Sequence, residues 1–172
     1  MPSQPSLRPF DVAVALRLIL IPEDRYEPLA NALATSTSAV HRAVARLQHA
    51  GICGSGSRTV NKAALHEFLV HGLRYSFPPV HGPERAGLPT AGAHPAIVAA
   101  LGENAGPQLV WPMEGGPSRA ESLTPLFSGM TRVVQRNGRM HEMLATVDLL
   151  RVGTPEQRAA AGTLLTRQLA ID

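Results

Sequence analysis

Residues 26–52 decide the fold, and they read YEPLANALATSTSAVHRAVARLQHAGI. Apolar positions recur three and four residues apart on both sides of a Thr/Ser-rich turn, which predicts two helices, at residues 26–33 and 37–50. Ser36 is a favourable N-cap for the second of these helices, and Gly51 suits the left-handed position that often follows a helix. A short helix, a tight turn and a longer helix form the helix-turn-helix arrangement.

Two more helices are predicted on either side of this stretch. Residues 9–20 carry an apolar face, with Pro9 suited to the first turn, and Pro22 ends the helix. Asp11, also in the first turn, complements the positive end of the helix dipole. A fourth helix is expected at residues 62–75, where apolar side chains again recur at helical spacing.

A small hairpin is predicted between the third and fourth helices. Two short β-prone pieces, residues 52–53 and 59–60, flank a Gly/Ser turn. Arg58 lies at the tip of this hairpin, as in a wing that reaches a minor groove or a phosphate backbone. The order of all these elements predicts a winged helix-turn-helix domain over residues 8–75.

The third predicted helix has an apolar stripe and an opposite polar face. At about 100° per residue, Val40, Val44 and Leu47 fall on one side. The other side and its flank carry Ser38, His41, Arg42, Ala45, Arg46 and His49. Between Glu27 and Glu67 the sequence has no acidic residue. A basic surface without acids is what binding to phosphates requires, although an ordinary solvated face of a helical bundle is the alternative.

These residue types suit contact with duplex DNA. Arginine can pair bidentately with guanine, hydroxyl side chains can bond base edges or phosphates, and a small residue allows close approach. Threonine and serine at the start of the helix lie where backbone N–H groups can bind a phosphate. The predicted DNA-binding residues are Thr35, Ser36, Thr37, Ser38, His41, Arg42, Ala45, Arg46, His49 and Arg58.

Residues 26–52 resemble the core of MarR-type winged-helix regulators. In that family a leucine-alanine helix, here Leu29-Ala30, leads into a Ser-x-Ser-x-Val recognition helix, here residues 36–40, which ends Leu-x-x-x-Gly, here residues 47–51. The resemblance implies a bacterial transcriptional regulator, a repressor that binds double-stranded DNA as a homodimer. Further along, the segment HGLRYSFPP at residues 71–79 resembles uncharacterised bacterial helix-turn-helix regulators and implies no particular ligand.

Residues 76–130 contain nine prolines and eight glycines, so long helices are not expected there. The segment also holds Phe77, Trp111 and Phe127. One interpretation is a pocket for a small-molecule effector or a groove for a protein partner. The favoured interpretation is an extended segment that wraps the winged helix, with the aromatic side chains as anchors.

Residues 131–172 return to helical periodicity. One helix is expected from a start between Arg132 and His141 to Val152. Residues 154–157 form a capping box that opens a second helix. The apolar side chains of the two helices include Met140, Leu144, Val147, Leu164 and Leu165. We expect these side chains to form a homodimer contact, or else to complete the core of the monomer.

The predicted fold class is mainly α with a small β-hairpin wing, followed by a Pro/Gly-rich segment and C-terminal helices. The one cysteine, Cys53, cannot form an intramolecular disulfide, and no apolar run approaches the roughly 18–20 residues that span a bilayer. A cytoplasmic protein is therefore expected. The sequence lacks metal-ligand spacings, phosphate loops and nucleophile motifs, so no metal, cofactor or enzymatic activity is expected.

The leading hypothesis is a sequence-specific DNA-binding transcriptional regulator that acts as a homodimeric repressor. The first alternative is a protein-interaction module, such as the antitoxin of a toxin pair. The second alternative places an enzyme active site in residues 76–130. Salt-dependent binding to duplex DNA would distinguish the leading hypothesis from tight binding to a protein partner. The operator, the effector and the regulated process stay open.

Overall fold

The computed structural model describes residues 4–22 and 25–171, and it divides the chain into two compact units, Met1–Leu65 and His66–Asp172. The first unit covers the region for which a helix-turn-helix and a hairpin are predicted. The second unit contains the Pro/Gly-rich segment and the C-terminal helices. The fold is mixed α/β rather than mainly α as predicted, because the second unit includes an unexpected three-stranded sheet.

The helices of the first unit are α1 (Pro9–Leu20), α2 (Tyr26–Ala32) and α3 (Thr37–His49). Their bounds agree with the predicted ones to within one residue. The Ser36 hydroxyl accepts a hydrogen bond from the Ala39 N–H at 3.2 Å, which caps α3 as predicted. Gly51 has a φ of 75°, the left-handed conformation expected after this helix.

The core of the first unit is built around α1. Its residues from Asp11 to Leu18 are all buried. Helix α3 packs on α1 and α2, and its buried side chains include Val40, Val44 and Leu47, the apolar stripe that the sequence predicted. The face opposite this stripe is consequently turned away from the core.

The hairpin after α3 is present in a minimal form. Cys53 and Val60 form a single antiparallel bridge. The Gln48 side chain of α3 donates from Nε2 to the Ser57 carbonyl at 2.6 Å. This hydrogen bond therefore joins the hairpin turn directly to α3.

The helical stretch after the hairpin is continuous but not uniform. It consists of α4 (Lys62–Glu67), a π-helical turn (Phe68–Gly72) and α5 (Leu73–Ser76). The boundary between the two units falls inside α4, ten residues before the predicted domain end at residue 75. Leu69 and Leu73 are buried, because the π-helical turn and α5 pack within the second unit.

The sheet of the second unit has three strands, β1 (His81–Ala91), β2 (Gln108–Pro112) and β3 (Ser118–Leu123). The first half of β1 pairs antiparallel with β3, and its second half pairs antiparallel with β2. Strands β2 and β3 pair in parallel through two residue pairs, which closes the three strands into a small barrel. Residues 76–130 therefore contain a sheet and short helices, which corrects the expectation of an extended wrapping segment.

Proline and glycine occupy specific places in β1. Pro83 lies at an irregularity where the register shifts between Gly82 and Glu84, and a bulge is one of the few strand positions that accept proline. Gly87 lies so close to the Trp111 carbonyl that a Cβ atom would collide with it. Because proline and glycine are depleted in strands, they hide this strand from prediction by sequence pattern.

Four further α-helices complete the second unit, α6 (Pro95–Leu101), α7 (Met130–Gln135), α8 (Gly138–Val152) and α9 (Pro155–Gln168), and a 3₁₀ helix (Gly102–Ala105) follows α6. Helix α8 lies at the centre, with every residue from Met143 to Arg151 buried. The side chains expected at a dimer contact, Met140, Leu144, Val147, Leu164 and Leu165, are buried in this single chain. These five side chains therefore complete the core of the monomer, as the alternative expected, and a homodimer stays a prediction.

A buried carboxylate, that of Asp148, joins α8 to the sheet. It accepts hydrogen bonds from Thr90 Oγ1 at 2.9 Å, from Trp111 Nε1 at 2.6 Å and from Arg151 Nη1 at 2.8 Å. Arg151 also donates from Nε to the Phe77 carbonyl at 2.9 Å. Burial raises the pKa of Asp148, while the charge of Arg151 and the three donors oppose that rise.

Replacing Asp148 by alanine is expected to lower the free energy of unfolding by about 3–5 kcal/mol, because Arg151 would stay buried without its counter-charge. Urea unfolding followed by circular dichroism measures the change. The matched control is Glu84→Ala, which breaks an exposed pair with Arg119 and should alter the stability by less than about 1 kcal/mol. Equal effects of the two substitutions would contradict the structural role of Asp148.

Candidate nucleic-acid interface

The ten predicted DNA-binding residues differ in exposure. Seven are exposed, namely Ser36, Thr37, Ser38, His41, Arg42, Ala45 and His49. Three are half-buried, namely Thr35, Arg46 and Arg58. The exposed residues belong to α3 and its N-cap, so the first unit presents a polar helical face to solvent.

The exposed face of α3 carries no acidic residue. Arg42 lies in its middle, and no ion pair engages Arg42 among residues 4–22 and 25–171. Ala45 leaves room beside it, and His49 adds a ring with hydrogen-bonding capacity. The face can therefore offer one unpaired guanidinium to a base edge or a phosphate.

The start of α3 adds hydroxyl groups and backbone donors. Ser36 caps the helix, and its hydroxyl lies 3.1 Å from that of Ser38. The first-turn N–H groups of a helix have no intrahelical acceptor. The exposed turn at Thr37 and Ser38 is therefore suited to an anion.

Arg46 is held inside the unit. Its Nε and Nη2 atoms donate to the two carboxylate oxygens of Asp11 at 2.8 and 2.6 Å. Asp11 is 1% exposed, and it also accepts the backbone N–H of Arg8 at 2.8 Å. The hydrogen bond with Asp11 raises the pKa of Arg46. Arg46 thus clamps α3 to α1, a role that no local sequence pattern indicates, because Asp11 lies 35 residues before Arg46.

Two residues outside the predicted set, Tyr26 and Gln48, hold the hairpin beside α3. The rings of Tyr26 and His41 lie 5.1 Å apart. The guanidinium of Arg58 lies 4.7 Å from the centre of the Tyr26 ring, so Arg58 stacks on α2 instead of projecting from the hairpin tip. No local pattern in the sequence connects these residues, which meet only in the folded unit.

The second unit contains a half-buried histidine pair. The rings of His94 and His141 lie 4.4 Å apart, and the Trp111 ring lies 5.2 Å from that of His141. His141 donates from Nε2 to the Pro89 carbonyl at 2.7 Å. Burial lowers the pKa of His94 to about 4 and also lowers the pKa of His141, so both rings are neutral at pH 7. Within the described ranges, no group of three or more His, Cys, Asp or Glu side chains could hold a metal ion.

Comparisons of the chain with protein-family models, with curated proteins and with solved structures gave no match. No helix in the described part of the chain has both the length and the apolar character needed to cross a membrane.

Replacing Arg46 by alanine is expected to lower the free energy of unfolding by about 3 kcal/mol, because Asp11 would stay buried without its counter-charge. The matched control is Arg42→Ala on the exposed face of the same helix, which should change the stability by less than about 0.5 kcal/mol. Urea unfolding compares the two variants. An equally large loss of stability in the two variants would contradict the assignment of a structural role to Arg46 and not to Arg42.

Acidification is expected to destabilise the protein as the pH falls from about 6.5 to about 4. The pKa of His94 is about 4 in the folded unit and 6.5 in the unfolded chain, so only the unfolded chain takes up a proton in this range. The contribution of His94 to the free energy of unfolding is complete above pH 6.5 and declines as the pH falls below it. His94→Asn keeps an acceptor for the Ala96 N–H and should flatten this part of the curve of unfolding free energy against pH. An unaltered slope in that variant would exclude His94 as the cause.

Proposed function

We propose that the first unit binds double-stranded DNA through the exposed face of α3. The observation that carries the proposal is an acid-free helical face with Arg42 and His49 exposed and with Ser/Thr hydroxyls at its first turn. An α-helix fits the major groove of DNA, where arginine recognises guanine. The buried stripe on the opposite side fixes α3 to α1 and α2 and so leaves this face outward.

The residues of this face have distinct parts in the proposal. Arg42 donates to a base edge, and Ala45 lets the helix approach the floor of the groove. The first turn, at Thr37, binds a phosphate through its hydroxyl and backbone N–H groups. Arg46 is a positioning residue, since its guanidinium is occupied by Asp11 and its loss would change the orientation of α3.

The hairpin supplies a second contact in the proposal. Arg58 is held by Tyr26 next to His41, which brings its charge near the face of α3. A phosphate contact from Arg58 would add affinity without sequence preference. The first unit has seven Arg or Lys residues and four acidic residues, whereas the second unit has nine of each. The excess of positive charge therefore lies in the unit that carries the proposed DNA face.

In this proposal the protein is a sequence-specific transcriptional regulator of the cytoplasm, a repressor that occupies DNA needed by other proteins. The MarR-type resemblance of residues 26–52 supports it. A homodimer would place two α3 helices about 34–36 Å apart, one turn of DNA, and so lengthen the recognised site. The homodimer stays a prediction, and the apolar side chains buried in α8 and α9 are not available to form its contact. A small-molecule or protein effector stays a prediction as well.

Arg42→Ala is expected to weaken binding to a selected duplex by roughly 5- to 150-fold, the equivalent of about 1–3 kcal/mol for one base-reading arginine. The duplex comes from selection of random-sequence DNA on the full chain, and fluorescence anisotropy at constant salt gives Kd. The matched control is Arg167→Ala, an exposed arginine of the second unit, which should leave Kd within about twofold.

Two results would contradict the proposed function. One is a selection that enriches no sequence and a Kd that does not rise with salt, since phosphate contacts always release counterions. The other is an equal loss of affinity in Arg42→Ala and Arg167→Ala, which would indicate attraction by general charge. Tight binding to a protein partner in the absence of DNA binding would instead favour the interaction module.

A further inference from the structure

A groove on the second unit combines an exposed aromatic ring with positive charge. It encloses about 250 Å³ between the π-helical turn with α5 on one side and the start of α9 on the other. Its lining includes Val70, His71, Arg74, Tyr75, Arg158 and Ala159. Tyr75 is 73% exposed, more than any other exposed large apolar side chain in the described ranges. Tyrosine and arginine are the residue types most enriched where proteins bind one another.

The two arginines of the groove are held in position by groups other than carboxylates. The Arg74 guanidinium lies 5.0 Å from the centre of the Tyr75 ring. Arg158 donates from Nη1 to the Gly153 carbonyl at 2.7 Å. Within residues 4–22 and 25–171, neither guanidinium forms an ion pair with an acidic side chain. Both keep N–H donors for a carboxylate, and the first turn of α9 adds the positive end of a helix dipole.

The surrounding charges favour a short acidic peptide over a nucleic-acid backbone. Glu67 and Glu156 are exposed and adjoin the two lining segments in the sequence, so they would repel a phosphate chain with a charge at every unit more than a peptide with only one or two carboxylates. The second unit as a whole has no excess of positive charge. A peptide that combines carboxylates with apolar side chains would match both the arginines and the apolar side chains of Val70 and Ala159 in the lining.

We propose that this groove binds an acidic segment of a partner protein, with carboxylates on Arg74 and Arg158 and an apolar side chain against Tyr75. The volume is smaller than the roughly 300–1,000 Å³ of pockets for drug-sized ligands, and it suits one or two side chains of a peptide. The proposal does not depend on DNA binding, because all the residues that line the groove belong to the second unit and the proposed DNA face belongs to the first.

The probe is a phage library of random peptides about twelve residues long, selected on the immobilised full chain. Enriched peptides are synthesised with a fluorescein label, and anisotropy gives their Kd. We expect them to carry Asp or Glu next to an apolar or aromatic residue. The double variant R74E/R158E should bind them at least about tenfold more weakly, because charge-assisted hydrogen bonds are lost. The control R136E/R167E makes the same change of charge elsewhere on the second unit and should bind within about twofold.

A second variant, Tyr75→Ala, keeps the charge and removes only an exposed ring. It therefore tests the peptide-binding proposal even if R74E/R158E does not fold. Weaker peptide binding by Tyr75→Ala with an unchanged circular dichroism melting curve supports the proposal. Equal enrichment on the wild-type chain and on folded R74E/R158E overturns it, as does an equal loss in R136E/R167E. If the groove variants weaken binding of duplex DNA and leave peptide binding intact, the groove contacts phosphates and the peptide assignment is wrong.

Discussion

A carboxylate that is taken out of water has to be given hydrogen-bond donors and a positive charge, and each unit of this protein is built around one such group. In the first unit, Asp11 is buried and both its oxygens are bound by Arg46. In the second unit, Asp148 is buried and bound by Arg151 and by the Trp111 ring nitrogen. Buried ion pairs add little net stability compared with apolar packing, but a broken pair is costly, so each pair tolerates one arrangement of the elements that it joins.

This constraint determines which part of α3 is available for function. The helix has two arginines on its polar side, and the buried carboxylate of Asp11 occupies Arg46. Arg42 is left as the exposed arginine of the face, one turn before the clamp. The orientation of the proposed interface is therefore a consequence of the core, because α3 cannot rotate about its axis without separating Arg46 from Asp11. A loss of DNA binding on substitution of Arg46 would consequently reflect altered folding of the first unit, not the loss of a direct DNA contact.

Local signals explain why the first unit was predicted closely and the second was not. Ser36, Gly51 and the prolines around α1 mark helix ends within a few residues of sequence, so the bounds of α1 to α3 could be read from it. Strand β1 contains Pro83, and only pairing with distant strands shows that this proline lies at a bulge. The roles of Arg46 and Arg58 were likewise hidden, because Asp11 and Tyr26, their partners, are far away along the chain.

The single cysteine has a practical consequence for experiments on this protein. Cys53, one of the two residues of the hairpin bridge, is 2% exposed. Burial raises the pKa of its thiol, so little of the reactive thiolate forms at neutral pH. Maleimide reagents should therefore leave the native chain almost unmodified. A cysteine introduced at an exposed position would then be the one efficient attachment point for a fluorophore or a spin label. Distances from either unit could be measured in this way without first replacing the native thiol.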